Sequence, residues 1–168
     1  KKLKPEFNFV QTLISKWNDS KKTFRFIKRF SFTHRDYPLK VDCSIVRNSR
    51  TRPGKFGSKM IPEYRIESSN VFQNPEHFEI EIELTDVNTR DFFGDQDENI
   101  EKLKSCFPKL KIVARGTKLK AYGEKALLED FNKSVHRLLN YFIEHNFLDQ
   151  SSIERIIIVN PGVDKVQE

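Results

Sequence analysis

The chain has 168 residues, 30 of them Lys or Arg and 24 Asp or Glu, for a formal net charge of +6. The length suits one domain or two small ones, and 37% apolar with 32% charged residues is the composition of a soluble globular protein. No apolar run approaches the ~20 residues of a membrane span, residues 1–10 lack the apolar core of a signal peptide, and Cys43 and Cys106 form neither a disulfide framework nor a metal-ligand spacing.

The expectation is therefore a soluble, cytoplasmic protein with no membrane partner. Its charge is unevenly spread. Residues 1–60 hold 16 bases against four acids, a net of +12, and residues 61–168 carry a net of −6. A basic half joined to an acidic half points to a polyanion-facing surface at the N-terminal end.

In chain order, Phe9, Leu13, Ile14 and Trp17 fall on one face of a short helical pattern. Residues 23–33 read as a strand in which Phe24, Phe26, Phe30 and Phe32 alternate with Arg25, Arg29 and Ser31, and the aromatics are assigned to the core. Residues 34–38 form a turn and 39–47 a second strand. Residues 48–59 are basic and hold Pro53, Gly54 and Gly57, which predicts a loop. Third and fourth strands follow over 61–68 and 77–84, giving an antiparallel meander over residues 1–90.

Residues 91–168 read differently. A helix over 99–107 precedes short strands at 110–115 and 118–122, joined by Gly116-Thr117. Leu127, Phe131, Val135, Leu138 and Phe142 recur at helical spacing and predict a long helix over 124–145. Ser151 and Glu154 have capping-box spacing ahead of 153–157. The fold class is α+β, a meander followed by a small α/β module.

The sharpest local pattern is Glu79-Ile80-Glu81-Ile82-Glu83. On a strand the glutamates share one face, about 7 Å apart, and each neighbouring pair repels by about 2 kcal/mol at an effective dielectric near 20. Two readings follow: a half-buried strand with its glutamates in water, or an enclosed site where cations offset them. Such cations are Arg, Lys, or an oxygen-preferring ion such as magnesium or manganese. The four histidines, His34, His77, His136 and His145, are scattered with no ligand spacing.

Two resemblances sharpen these readings. Phe-Arg-Phe-Ile-Lys-Arg-Phe-Ser-Phe (24–32), Val-Asp-Cys-Ser-Ile-Val-Arg-Asn-Ser (41–49) and His-Phe-Glu-Ile-Glu-Ile-Glu-Leu (77–84) resemble the tunnel-type, metal-dependent RNA 5′-triphosphatases of mRNA capping. The resemblance implies a partial tunnel or barrel in which Glu79, Glu81 and Glu83 hold magnesium or manganese and orient water. Arg25, Arg29 and Arg47 would contact phosphate, and Asp42 matches the acid of the intervening strand. Ile27 stands where that family carries a lysine, and no Glu-x-Glu strand precedes Thr23. A partner chain or a missing segment would have to complete the barrel.

Phe-Phe-Gly-Asp-Gln-Asp-Glu-Asn-Ile (92–100), Phe-Pro-Lys-Leu-Lys-Ile-Val-Ala-Arg-Gly (107–116), Tyr-Gly-Glu-Lys (122–125) and Ile-Glu-Arg-Ile (153–156) resemble the KH-like N-terminal segment of PhoH-like proteins. That implies RNA contact by Arg115, Lys118 and Lys120. No Gly-x-x-x-x-Gly-Lys-Ser/Thr occurs, so no ATP site of the P-loop kind is expected. Two functions stay open at this point, with RNA or another polyanion as partner in both. One is divalent-metal-dependent hydrolysis of RNA 5′-triphosphate ends. The other is a non-catalytic KH-like RNA-binding accessory module.

Overall fold

A computed structural model describes residues 7–35, 37–55 and 57–159. The chain is α+β and divides into two compact units, one drawn from Lys1–Ile27 with Val46–Glu76, the other from Lys28–Ile45 with His77–Glu168. The long strands β1 (Arg25–His34) and β2 (Tyr37–Asn48) contribute residues to both.

The second unit is built on a five-stranded antiparallel sheet. Its order is β1-β2-β5-β7-β6, with β5 at His77–Leu84, β6 at Lys111–Arg115 and β7 at Lys118–Gly123. The sheet is open, with β1 and β6 as its edges and no closed barrel among the described residues. It joins strands from both sides of residue 90.

Period-two alternation gives the sheet two chemically distinct faces. Leu39 and Val41 of β2, Ile80, Ile82 and Leu84 of β5, Ile112 of β6, and Leu119 and Ala121 of β7 are buried in one core. That core is completed by the long helix α4 (Lys125–His145), through Leu128, Phe131, Val135, Leu138 and Leu139. Shorter helices α2 (Thr89–Phe93), α3 (Glu98–Cys106) and α5 (Gln150–Glu154) add Phe92, Ile100, Leu103 and Ile153. Asn99, itself buried, donates to the Phe92 carbonyl at 3.2 Å and the Leu148 carbonyl at 2.9 Å, tying α3 to both flanking segments.

The first unit carries helix α1 (Phe7–Ser15) and a two-stranded hairpin, β3 (Thr51–Gly54) with β4 (Gly57–Met60). Ser49 Oγ donates to the Phe24 carbonyl at 2.8 Å and accepts the Phe24 amide at 2.6 Å. Lys22 and Glu63 exchange backbone hydrogen bonds of 2.8 Å each.

Four expectations change. The stretch expected to be a loop over 48–59 is largely the β3–β4 hairpin, whose turn uses Gly57 at φ 107°, a region that disfavours a side chain. The strand expected over 61–68 is reduced to the single bridge at Glu63 and a 3-10 turn at Glu67–Ser69. Pro62 cannot donate to a ladder, and Ser69 Oγ turns back onto the Ile66 carbonyl at 2.6 Å. Phe26, Phe30 and Phe32 are exposed rather than core, because the strand that carries them is a sheet edge. The cap of α5 is Asp149, which accepts the Ser152 amide at 2.8 Å, so Ser151 lies inside the helix instead of capping it.

Candidate nucleic-acid interface

The glutamates of β5 stand on the sheet face opposite the α4 core, because their isoleucine neighbours occupy the other one. Strand β7 is antiparallel beside them, with Glu81 opposite Lys120 and Glu83 opposite Lys118. The ammonium groups sit between successive carboxylates. Lys120 Nζ lies 3.4 Å from Glu79 and 3.7 Å from Glu81, and Lys118 Nζ lies 3.0 Å from Glu81 and 3.3 Å from Glu83. These gaps are about half the ~7 Å between neighbouring glutamates, so attraction outweighs the repulsion along the strand.

The face extends to β1 and β2. Arg29 Nε donates to Ser44 Oγ at 3.2 Å, and its guanidinium is 3.6 Å from Asp42. Lys40 Nζ stands 3.8 Å from the other Asp42 oxygen. The Glu81 carboxyl is held below its ordinary range, chiefly by the hydrogen bond from Lys118, with burial opposing and the charges of Lys118, Lys120 and Arg29 assisting. Lys118 is correspondingly pushed up by hydrogen bonds to Glu81 and Glu83.

A divalent ion would need three or so oxygens turned toward one point. Here each glutamate is engaged by a lysine, and among the described residues no group of three His, Cys, Asp or Glu is disposed to hold an ion. In this arrangement the acidic strand does not fit a magnesium or manganese site, and no chemical step is derived through one.

The other residues singled out from the sequence each have their own surroundings. Arg47 donates to the Phe72 carbonyl and pairs with Glu76 at 2.7 Å, which fastens the 72–76 turn. Arg25 is exposed on β1, in the other unit from Arg29. Arg115 is exposed beside Gly116 at the tip of the β6–β7 hairpin.

The β3–β4 hairpin is built in the opposite way from the glutamate face. Between Val46 and Pro62 the chain has five Lys or Arg and no acid. Arg52 lies directly opposite Lys59. Both are exposed, and among the described residues neither has a carboxylate at ion-pairing distance. Like charges directly opposite each other across strands are destabilising. The basic run is visible in the sequence, but the Arg52–Lys59 confrontation depends on the hairpin register.

No family model, no curated protein and no solved structure matches this chain. Among the described residues no helix is long and apolar enough to cross a membrane.

Proposed function

We propose that the chain is a non-catalytic RNA-binding module whose phosphate contact is the β3–β4 hairpin. The observation that carries this reading is the opposed, uncompensated pair Arg52 and Lys59 within a segment of five bases and no acids. A neighbouring phosphate relieves their repulsion and releases its own counterions on binding. The glutamates of β5 support the non-catalytic part of the reading, since lysines of the same sheet already engage them.

The test is anisotropy of a labelled single-stranded RNA across a range of salt concentrations. The wild type should bind with affinity falling steeply as salt rises. The double variant Arg52→Ala/Lys59→Ala should bind more weakly, with a salt slope smaller by about 1.4, the share of two single-strand phosphate contacts. An unchanged slope, or no binding of the wild type at low salt, contradicts the proposal. In parallel, a 5′-triphosphate RNA incubated with manganese should release no phosphate. Release that Glu81→Gln abolishes would restore the hydrolase reading.

A further inference from the structure

Strand β1 is an outer edge of its sheet, and all ten of its residues are exposed. Such an edge presents a row of backbone donors and acceptors ready to pair with another strand. Phe24, just before it, turns its carbonyl to the Ser49 amide at 2.9 Å. By period two, the even-numbered residues direct their backbone groups at β2, and Arg29, Ser31 and Thr33 direct theirs outward. Among the described residues no strand pairs with that side.

The usual guards of an edge are missing or already engaged. The strand holds no proline and no acid. Arg29 is drawn back to Asp42 and Ser44 of its own sheet, and Lys28 Nζ lies 5.3 Å from the Phe30 ring centroid. Because Arg29 stands on the glutamate face, Lys28, Phe30 and Phe32 share the side that carries α4. Phe30 is 45% and Phe32 59% exposed. Phe30 also borders a cavity of about 350 Å³ whose other walls include Ile45, Phe78 and Leu128. The charged residues lining that cavity are paired, Lys125 with Glu129 at 3.8 Å and Glu79 with Lys120 at 3.4 Å, so what it leaves open is apolar.

The edge complements itself. In a two-fold antiparallel pair, each residue faces the one equally far beyond the axis. With the axis at Phe30, Phe30 meets its own copy, Phe32 meets the partner's Lys28, and Arg29 exchanges backbone hydrogen bonds with the partner's Ser31. These are an aromatic pair, a cation–aromatic pair and a charge beside a hydroxyl, and no like charges meet. Moving the axis to Arg29 sets that guanidinium against itself, and moving it to Ser31 sets Lys28 against His34 and shortens the paired stretch. We propose that β1 pairs antiparallel with β1 of a second copy of this chain, with Phe30 at the two-fold axis.

Analytical ultracentrifugation of the full chain should show a monomer–dimer equilibrium. Phe30→Lys places an ammonium group opposite its own copy and should raise the dimer dissociation constant about tenfold. Ser31→Pro removes an outward N–H while leaving the ladder to β2 its donors, and should weaken the dimer to a similar degree. Far-UV circular dichroism checks that both variants fold. Disulfide cross-linking in a Cys43→Ser/Cys106→Ser background reads the register. Opposed residues of a pair without its own hydrogen bonds stand about 4.5 Å apart at Cα, within the ~4.4–6.8 Å of a disulfide. Phe30→Cys should therefore cross-link on mild oxidation. Lys28→Cys and Phe32→Cys should each fail to cross-link alone and should cross-link when the two chains are mixed.

A chain that is monomeric at every concentration overturns the inference and leaves the edge to a strand of another protein. So does a dimer that neither Phe30→Lys nor Ser31→Pro weakens, since it would lie on another surface. Cross-linking of Phe32→Cys alone as fast as that of Phe30→Cys overturns it as well.

Discussion

The β5–β7 face and the β3–β4 hairpin both crowd charge onto antiparallel strands, and they resolve it in opposite ways. On the face, glutamates meet lysines in register at 3.0–3.7 Å. On the hairpin, Arg52 faces Lys59, and among the described residues neither has a carboxylate at ion-pairing distance, the nearby Glu63 being paired with Arg50. Charge density alone therefore does not mark a binding surface. Charge already satisfied by a cross-strand partner serves the fold, and charge left facing its own sign is available to a ligand.

Substitutions can sharpen that contrast. The largest effect is expected on the hidden side of the acidic strand. Ile82 is fully buried, and Ile82→Ala should cost about 2–5 kcal/mol in denaturant unfolding. Its loss would show that β5 is held by its isoleucines, with the charged side as an adjunct. Next comes Lys120→Met. It removes the cation from beside Glu79, whose side chain is only 9% exposed, and about 1–3 kcal/mol should be lost. Lys118→Met acts at a half-exposed pair, where solvent screens the charges, and should cost less than Lys120→Met.

Titration probes the same contrast without mutation. The lowered Glu81 carboxyl contributes stability that is present above the ordinary carboxylate range and lost as pH falls through its depressed value. The raised Lys118 contributes stability that is present below the ordinary lysine range and lost as pH rises through its elevated value. Unfolding curves for wild type and Lys118→Met should therefore differ most near neutrality and converge at both extremes. A gap that stays constant with pH would mean the lysine acts through packing. The smallest stability effect is expected at the hairpin. Arg52→Glu places a carboxylate opposite Lys59 and should stabilise the protein by roughly 0.2–1 kcal/mol while lowering RNA affinity.

What the sequence revealed follows from what each element buries. Strand β5 and helix α4 were legible because one side of each is apolar at the right period, which places Ile80, Ile82, Phe131 and Val135 inside. The hairpin was not, because β3 and β4 bury almost nothing and leave no alternation to read. Its glycines and proline resemble those of an irregular loop. The aromatics of β1 show a different limit. Alternation assigned Phe30 and Phe32 to one side of a strand, but whether that side is covered depends on the strand's place in the sheet, and β1 is an edge. The glutamates' own pattern was plain, yet their partners come from a strand more than thirty residues later. Local sequence does not say which strand will lie alongside.

The most direct measurement compares one substitution at two places. Lys59→Met and Lys118→Met each remove one ammonium group, the first from the hairpin and the second from the glutamate face. Affinity for the same single-stranded RNA at low salt should fall for Lys59→Met and stay at the wild-type value for Lys118→Met. The reverse order would contradict the account and place the RNA contact on the β6–β7 hairpin.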